Sequence, residues 1–186
     1  MTQQQYKEFV HIQALTKSGL NFLNSDEEKM KTVYMEMLNN ANSEFRIFAG
    51  TLACDVTNST DFVETLSDYI ERGGFLHILL NDYDENVVLQ SQLFKRLAYY
   101  QTQKKDVVVK RSIDHPYIKT QEGQKYVHFA LGDKMSYRVE TDIEKRTAIC
   151  NMNNPDLTSK YVSFFDELFV KPENTEINLV ELFKLR

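Results

Sequence analysis

Residues 126–153 decide the fold, and they read YVHFALGDKMSYRVETDIEKRTAICNMN. Apolar and polar residues alternate on both sides of a turn at Gly132-Asp133-Lys134, which predicts a β-hairpin. A three-residue loop collects the apolar residues on one face, whereas a two-residue loop would mix apolar and charged residues on both faces. The three-residue loop is therefore preferred. It gives an apolar face of Val127, Phe129, Leu131, Met135, Tyr137 and Val139, and a polar face of Tyr126, His128, Ala130, Ser136, Arg138 and Glu140.

The polar face of this hairpin contains a candidate site. The preferred register sets His128 opposite Arg138 and Tyr126 opposite Glu140. An imidazole, a guanidinium and a carboxylate then point to the same side of the hairpin. Such groups can bind a charged ligand or transfer a proton. The competing interpretation is a polar surface with cross-strand ion pairs, in which His128 is only a hydrogen-bonded neighbour.

Length and composition limit the classes of protein to which the chain can belong. With 186 residues, 42% of them hydrophobic and 26% charged, we expect one domain or a little more, with a core of its own. The chain has no apolar run of about 18 to 20 residues and no signal-peptide core at its start, so we expect a cytoplasmic location and no membrane contact. Cys54 and Cys150 lie far apart, and two reduced, buried thiols are predicted.

The sequence predicts neither a metal site nor a cofactor. No spacing of His, Cys, Asp or Glu is typical of metal ligands, and no glycine motif for phosphate or dinucleotide binding is present. The net charge of −5 does not favour nucleic acid as a partner, since dedicated nucleic-acid-binding proteins are normally basic. Basic residues do flank and follow the apolar segment 107–109, and we interpret them as solvated charges. They are Lys104, Lys105, Lys110, Arg111, Lys119 and Lys125.

Strand-like and helix-like segments alternate before the hairpin. Strands are predicted at residues 44–51, 75–80 and 106–111, with amphipathic helices before and between them. This order indicates right-handed βαβ crossovers, and therefore an α/β fold with a mixed, mostly parallel sheet and helices on both faces. Asn154-Pro155 predicts the start of the last long helix. Three parts are assigned, namely an N-terminal helical extension (1–24), a domain (25–171) and a C-terminal tail (172–186).

Two parts of the chain together resemble one half of the phospholipase D-like superfamily. The first is the helix–strand–helix–strand series that ends at residue 80, in which the second helix ends at Arg72-Gly73-Gly74. The second is the hairpin with the helix after it, at the position of the superfamily's H-x-K-x4-D and G-S-x-N motifs. The resemblance covers roughly residues 25–170 and implies the phospholipase D-like fold.

The match to the H-x-K-x4-D motif is degenerate. His128 stands at the histidine, but Ala130 replaces the lysine, and Met135 stands where the aspartate is expected. Asp133 lies two residues earlier, in the turn. The G-S-x-N segment corresponds to Cys150-Asn151-Met152-Asn153, in which only the last residue matches.

The resemblance also implies a partner and a set of site residues. In the superfamily, two such motifs face each other across a dimer or pseudo-dimer, one histidine attacks phosphorus, the other protonates the leaving group, and the lysines bind the phosphate. A single half-motif therefore implies a homodimer. Arg138 could replace the positive charge that Ala130 removes, with Glu140 or Asp142 orienting the imidazole. The candidate site consists of His128 as the catalytic residue and of Arg138, Glu140, Tyr126 and Asn153 as ligand-binding residues, without a metal.

The sequence supports three hypotheses about function. The leading one, favoured by the missing lysine, is a non-catalytic phospholipase D-like module that binds a ligand or a protein partner as a homodimer. The alternative is a metal-independent phosphodiesterase or nuclease that acts on a phosphate-containing ligand through His128, Arg138 and Glu140 at a dimer interface. The third, from analogy of fold alone, is a subunit of a bacterial defence or regulatory complex.

Overall fold

The computed structural model describes residues 1–121 and 123–185. Side chains cap most of the helices at their first turn. Asn154, for example, accepts a hydrogen bond from the backbone N–H of Leu157 at 3.1 Å, and Pro155 follows it, as predicted. The helices are α1 (Gln3–Leu15), α2 (Glu27–Asn40), α3 (Thr60–Glu71), α4 (Glu85–Gln90), α5 (Gln92–Thr102), α6 (Pro155–Phe169) and α7 (Leu179–Leu182). The strands are β1 (Phe22–Asn24), β2 (Glu44–Ala49), β3 (Phe75–Leu80), β4 (Val107–Arg111), β5 (Tyr117–Thr120), β6 (Gly123–Tyr126), β7 (His128–Gly132), β8 (Ser136–Asp142), β9 (Thr147–Asn151) and β10 (Thr175–Glu176).

One sheet organises the molecule. Eight strands follow the order β1-β9-β8-β7-β2-β3-β4-β10, and β5 pairs with β6 in a separate hairpin. The neighbours β2–β3 and β3–β4 are parallel, because helices connect these strands. The other neighbours in the main sheet are antiparallel. The α/β class and the mixed sheet predicted from the sequence are confirmed.

Helices cover both faces of this sheet. On one face, α1, α2, α3 and α5 pack against a core that includes Phe45 and Ile47 of β2. On the other face, α6 packs through Phe165 against Phe48 and Leu79. Each such side chain contributes roughly 1.5–3 kcal/mol through burial. In the part of the chain that the structure describes, no helix combines the length and the apolar character needed to cross a membrane.

Both terminal segments pack on the same core. Helix α1 contributes the buried side chains of Tyr6 and Val10, and β1 pairs with β9 at one edge of the sheet. At the other edge, β10 pairs with β4, and Leu179 of α7 is fully buried.

The predicted pairing of the β7–β8 hairpin is wrong by two residues. His128 lies opposite Glu140 instead of Arg138, and Ala130 lies opposite Arg138. Tyr126 is not opposite Glu140, since it ends β6. A shift of two residues keeps every side chain on its predicted face, because the side-chain period of a strand is two. The apolar face accordingly packs under α6, and the polar face lies under α2.

Contacts of the turn explain this shift. The turn consists of residues 133–135, and both Asp133 and Lys134 have left-handed backbones, with φ of 48° and 54°. The Asp133 carboxylate accepts hydrogen bonds from the backbone N–H groups of residues 42–44 at 2.6, 2.9 and 2.9 Å. These bonds anchor the turn to the start of β2. They join segments that are distant in sequence, so the alternation within the hairpin does not reveal them.

Candidate functional site

A cavity of about 180 Å³ lies at the carboxyl ends of β2 and β3. Strands β7 and β8 form its floor, and its walls are the loop after β2, helix α2 and the β8–β9 turn. This end of parallel strands is a common place for ligand sites in α/β proteins. The ionisable residues that line the cavity are Tyr34, Cys54, Asp82, His128, Arg138, Glu140 and Arg146.

A larger groove, of about 570 Å³, lies between α3 and α5. Its ionisable lining residues are Glu64, Lys95, Arg96 and Tyr99, all on the surface of these two helices. The smaller cavity is the better candidate because buried ionisable groups contact one another there, and such contacts concentrate at functional sites.

Glu140 holds the imidazole of His128. The two residues face each other across the β7–β8 ladder, and Nδ1 of His128 lies 3.4 Å from Oε2 of Glu140. Burial alone would raise the pKa of Glu140, but the hydrogen bond from His128 and the charge of Arg138 outweigh it and lower that pKa below its ordinary value. The carboxylate is therefore ionised at neutral pH and fixes the orientation of the ring.

The opposite side of the ring faces Gly50. A Cβ atom at Gly50 would lie 3.4 Å from Cε1 and 3.9 Å from Nε2 of His128. Because glycine lacks that atom, the cavity extends to the edge of the imidazole. With Nδ1 turned to Glu140, the nitrogen next to this space is Nε2.

Arg138 is buried under α2 and is held by structural partners. Its side chain is 1% exposed, Nη2 donates to Oε1 of Glu140 at 3.0 Å, and Nε donates to Oδ1 of Asn24 at 2.9 Å. Its guanidinium carbon lies 5.5 Å from the centre of the Tyr34 ring. Breaking a buried pair of this kind is costly because it leaves a charge uncompensated. Arg138 is thus a fixed part of the cavity floor.

The residue predicted to stand at the lysine position, Ala130, carries no charge. Ala130 is fully buried and lies between Ile47 of β2 and Arg138 of β8. Arg146, at the β8–β9 turn, is the second arginine of the cavity lining, and its Nε lies 3.9 Å from Oε1 of Glu27. Arg146 is therefore a cation that a ligand can approach without breaking a close ion pair.

Both cysteines are free thiols, as predicted, although their surroundings differ. Cys54 is half-buried and lines the cavity, with Sγ 3.6 Å from Oγ1 of Thr57. Cys150 is buried, and burial raises its pKa to about 12, so this thiol stays neutral. Within the described ranges, no group of three or more His, Cys, Asp or Glu residues is arranged to hold a metal ion.

Comparison with solved structures identifies the fold. TrmBL2, an archaeal chromatin protein, superposes with a TM-score of 0.59 at 13% identity over 94% of this chain, and this chain spans 61% of TrmBL2. Nuc from Salmonella typhimurium, a phospholipase D family member, gives 0.55 at 9% identity, and NucT from Helicobacter pylori gives 0.56 at 11%; each match covers 85% of this chain and 99% of the other. The chain has a phospholipase D-like fold. No family model and no curated protein matches its sequence.

Two of the five predicted site residues lie outside the cavity. Tyr126 is 61% exposed on β6, and its ring centre lies 5.6 Å from that of His115. Asn153 follows the far end of β9 and donates its amide to the backbone carbonyl of Lys17 at 2.7 Å. Tyr126 lies outside the cavity because it belongs to the separate β5–β6 hairpin, which ends before β7 begins. Asn153 lies outside the cavity because it follows the end of β9, and β9 runs away from His128.

Residues that the sequence did not indicate also shape or support the cavity. Asn24 is fully buried, accepts from Arg138 and donates through Nδ2 to the carbonyl of Arg146 at 2.8 Å. Tyr34 and Gly50 complete the walls. The end of a parallel strand at residue 49 was the one available signal, because ligand sites follow such ends. Asn24, Tyr34 and Arg146 come from three separate segments and share no local motif.

Proposed function

We propose that this chain is a non-catalytic phospholipase D-like module that binds a small polar ligand in the cavity of His128, Arg138 and Glu140, and that it acts as a homodimer. The observation that carries the proposal is that residues 130 and 138, the two positions expected to supply positive charge, do not offer it to a ligand. Ala130 is neutral and buried at the lysine position, and Arg138 is committed to Glu140 and Asn24. Phosphoryl transfer needs preorganised positive charge at the phosphate oxygens.

The cavity offers polar groups to a ligand rather than a reactive centre. The imidazole edge of His128 beside Gly50 can donate or accept one hydrogen bond. Arg146 at one wall and Asp82 at the rim add opposite charges. A volume of about 180 Å³ suits a ligand of small-metabolite size or one side chain of a protein partner.

A binding screen tests the proposal. Thermal shift against a panel of nucleotides, sugar phosphates, sugars and amino acids should find a compound that stabilises the wild type and fails to stabilise Gly50→Ala. Bis-p-nitrophenyl phosphate and labelled DNA serve as substrates in parallel. Turnover that His128→Ala abolishes, in a variant that still unfolds cooperatively, would refute the non-catalytic assignment.

A metal-independent phosphodiesterase or nuclease is the second candidate. The contact between Nδ1 of His128 and Glu140 favours it, because an orienting carboxylate is what a nucleophilic histidine requires. The positive charge would then come from Arg146 or from a second copy of the chain. This candidate predicts turnover in EDTA and a covalent phosphohistidine that acid quenching preserves poorly and alkaline quenching preserves well. Absence of both turnover and adduct over the substrate panel would exclude it.

Other parts of the proposal rest on separate observations. Self-association is supported by the single half-motif and by Phe164, which is 39% exposed on α6. Light scattering should give twice the chain mass of 21.8 kDa.

A cytoplasmic location is supported by the free thiols of Cys54 and Cys150, because unpaired cysteines are typical of reducing compartments. TrmBL2 binds DNA, and a regulatory complex with DNA is the corresponding analogy of fold.

A further inference from the structure

The β5–β6 hairpin has an aromatic face that the cavity does not use. Tyr117 pairs with Tyr126, and Lys119 pairs with Gln124. Residues two apart on a strand share a face, so these four side chains lie together, and they are called the hairpin face. All four residues are exposed, Tyr117 to 46% and Tyr126 to 61%.

The hairpin face is held away from the core. Ile118, on the opposite face of the same strand, packs against the apolar cluster under α6. The backbone N–H of Val127 donates to the carbonyl of Pro116 at 2.9 Å and closes the base of the hairpin. The ring of Tyr126 contacts His115 on one side, and Tyr117 has no aromatic contact among the described residues. Ring surface therefore remains open on both tyrosines.

The charge around this hairpin differs from that of the whole chain. Acidic residues outnumber basic ones overall, 27 to 22. Residues 110–126 reverse the balance, with four basic residues and two acidic ones. One of these acidic residues, Asp114, is engaged by Lys171 and Asn174. A segment with an excess of basic residues can attract a negatively charged partner even in an acidic protein.

We infer that the hairpin face binds single-stranded nucleic acid, with bases stacked on Tyr117 and Tyr126 and a phosphate at Lys119. Exposed aromatic rings beside basic side chains are the common means of binding unpaired strands, because every base has a face that can stack. A duplex keeps its bases stacked within the helix and cannot use these rings. The inference is independent of the function proposed for the cavity.

Fluorescence anisotropy with labelled oligo-dT and oligo-U of about 16 nucleotides tests the inference. The wild type should bind both strands more tightly than a duplex of the same length. Tyr117→Ala with Tyr126→Ala should weaken binding by roughly ten-fold or more, the effect expected for lost base stacking. Lys119→Gln should weaken it less and should reduce the slope of log K against log salt by about one.

Matched controls separate this effect from general changes. Tyr99 is 47% exposed on α5 and Lys95 is exposed on the same helix, so Tyr99→Ala and Lys95→Gln should leave binding unchanged. Gly50→Ala, which alters only the cavity, should also bind normally. Far-UV circular dichroism and the melting temperature confirm that each variant is folded. No anisotropy change up to about 100 µM at low salt, tighter binding of the duplex, or equal losses in the control variants would each overturn the inference.

Discussion

Glu140 and His128 face each other across the β7–β8 ladder, with Oε2 3.4 Å from Nδ1, while Oε1 of the same carboxylate accepts from Arg138 at 3.0 Å. One buried carboxylate thus serves an imidazole and a guanidinium together. The floor of the cavity depends on this single negative charge, since an unpaired arginine in the interior is strongly unfavourable.

Replacing that charge should destabilise the fold. Glu140→Gln keeps the shape of the side chain but leaves Arg138 without its counter-ion. We expect the free energy of unfolding to fall by roughly 3–5 kcal/mol, measured by urea denaturation at neutral pH. Glu167→Gln, an exposed carboxylate on α6, is the matched control and should show little change. Equal small effects of the two substitutions would contradict the assigned role of Glu140.

The contribution of the Glu140 carboxylate to the free energy of unfolding should decrease in acid. The pKa of Glu140 is lowered in the folded state, so its ionised form stabilises the protein above the unfolded pKa of about 4.3, and this contribution is lost as pH falls through the folded pKa. The difference in unfolding free energy between wild type and Glu140→Gln should therefore be constant near neutrality and shrink in acid. Urea midpoints measured from neutral pH to about pH 3 test this. A difference that does not change with pH would count against it.

The β7–β8 turn should depend on the carboxylate of Asp133. Asp133→Gly tolerates the left-handed backbone but removes the hydrogen bonds to the N–H groups of residues 42–44, and we expect a loss of about 2 kcal/mol. Lys134→Gly is the matched control, because Lys134 is also left-handed and is exposed. It should be neutral or slightly stabilising. Thermal and urea unfolding measure both, and a larger loss at Lys134 than at Asp133 would contradict the role assigned to the Asp133 carboxylate.

Two glycine-to-alanine substitutions should behave differently. At Gly50 a Cβ would make ordinary contacts of 3.4 to 3.9 Å, so Gly50→Ala should keep its stability while narrowing the cavity beside His128. At Gly74 a Cβ would lie 2.2 to 2.6 Å from side-chain atoms of Tyr69, and Gly74→Ala should lower the free energy of unfolding by about 1–3 kcal/mol. Urea unfolding distinguishes them. The prediction would be contradicted if Gly50→Ala lost stability while Gly74→Ala kept the stability of the wild type.

The fold could be predicted from the sequence because it depends on local patterns. Alternation placed Phe129 and Tyr137 on the face that α6 covers, and the order of helices and strands indicated the α/β class. The register of the hairpin could not be predicted in the same way. It is fixed by the contact of Asp133 with the start of β2, which lies about ninety residues earlier in the chain.

The candidate site was only partly accessible to sequence reasoning. The alternation of apolar and polar residues predicted that His128, Arg138 and Glu140 share one face of the hairpin, and all three line the cavity. Asn153 was assigned through a motif position, and the direction of β9 carries it to the other end of the sheet. Asn24 gave no signal, since its amide is needed only after β1 has paired with β9.

The amide of Asn24 has a consequence for cooperativity. It joins the guanidinium of Arg138 to the carbonyl of Arg146, and it sits on the outermost strand of one sheet edge. If β1 frays, Arg138 loses its hydrogen bond to Asn24, and the carbonyl of Arg146 at the cavity wall loses its donor at the same time. Edge pairing and preorganisation of the pocket are therefore thermodynamically linked, and a ligand that binds only the intact pocket must also lower the population of molecules in which β1 is open.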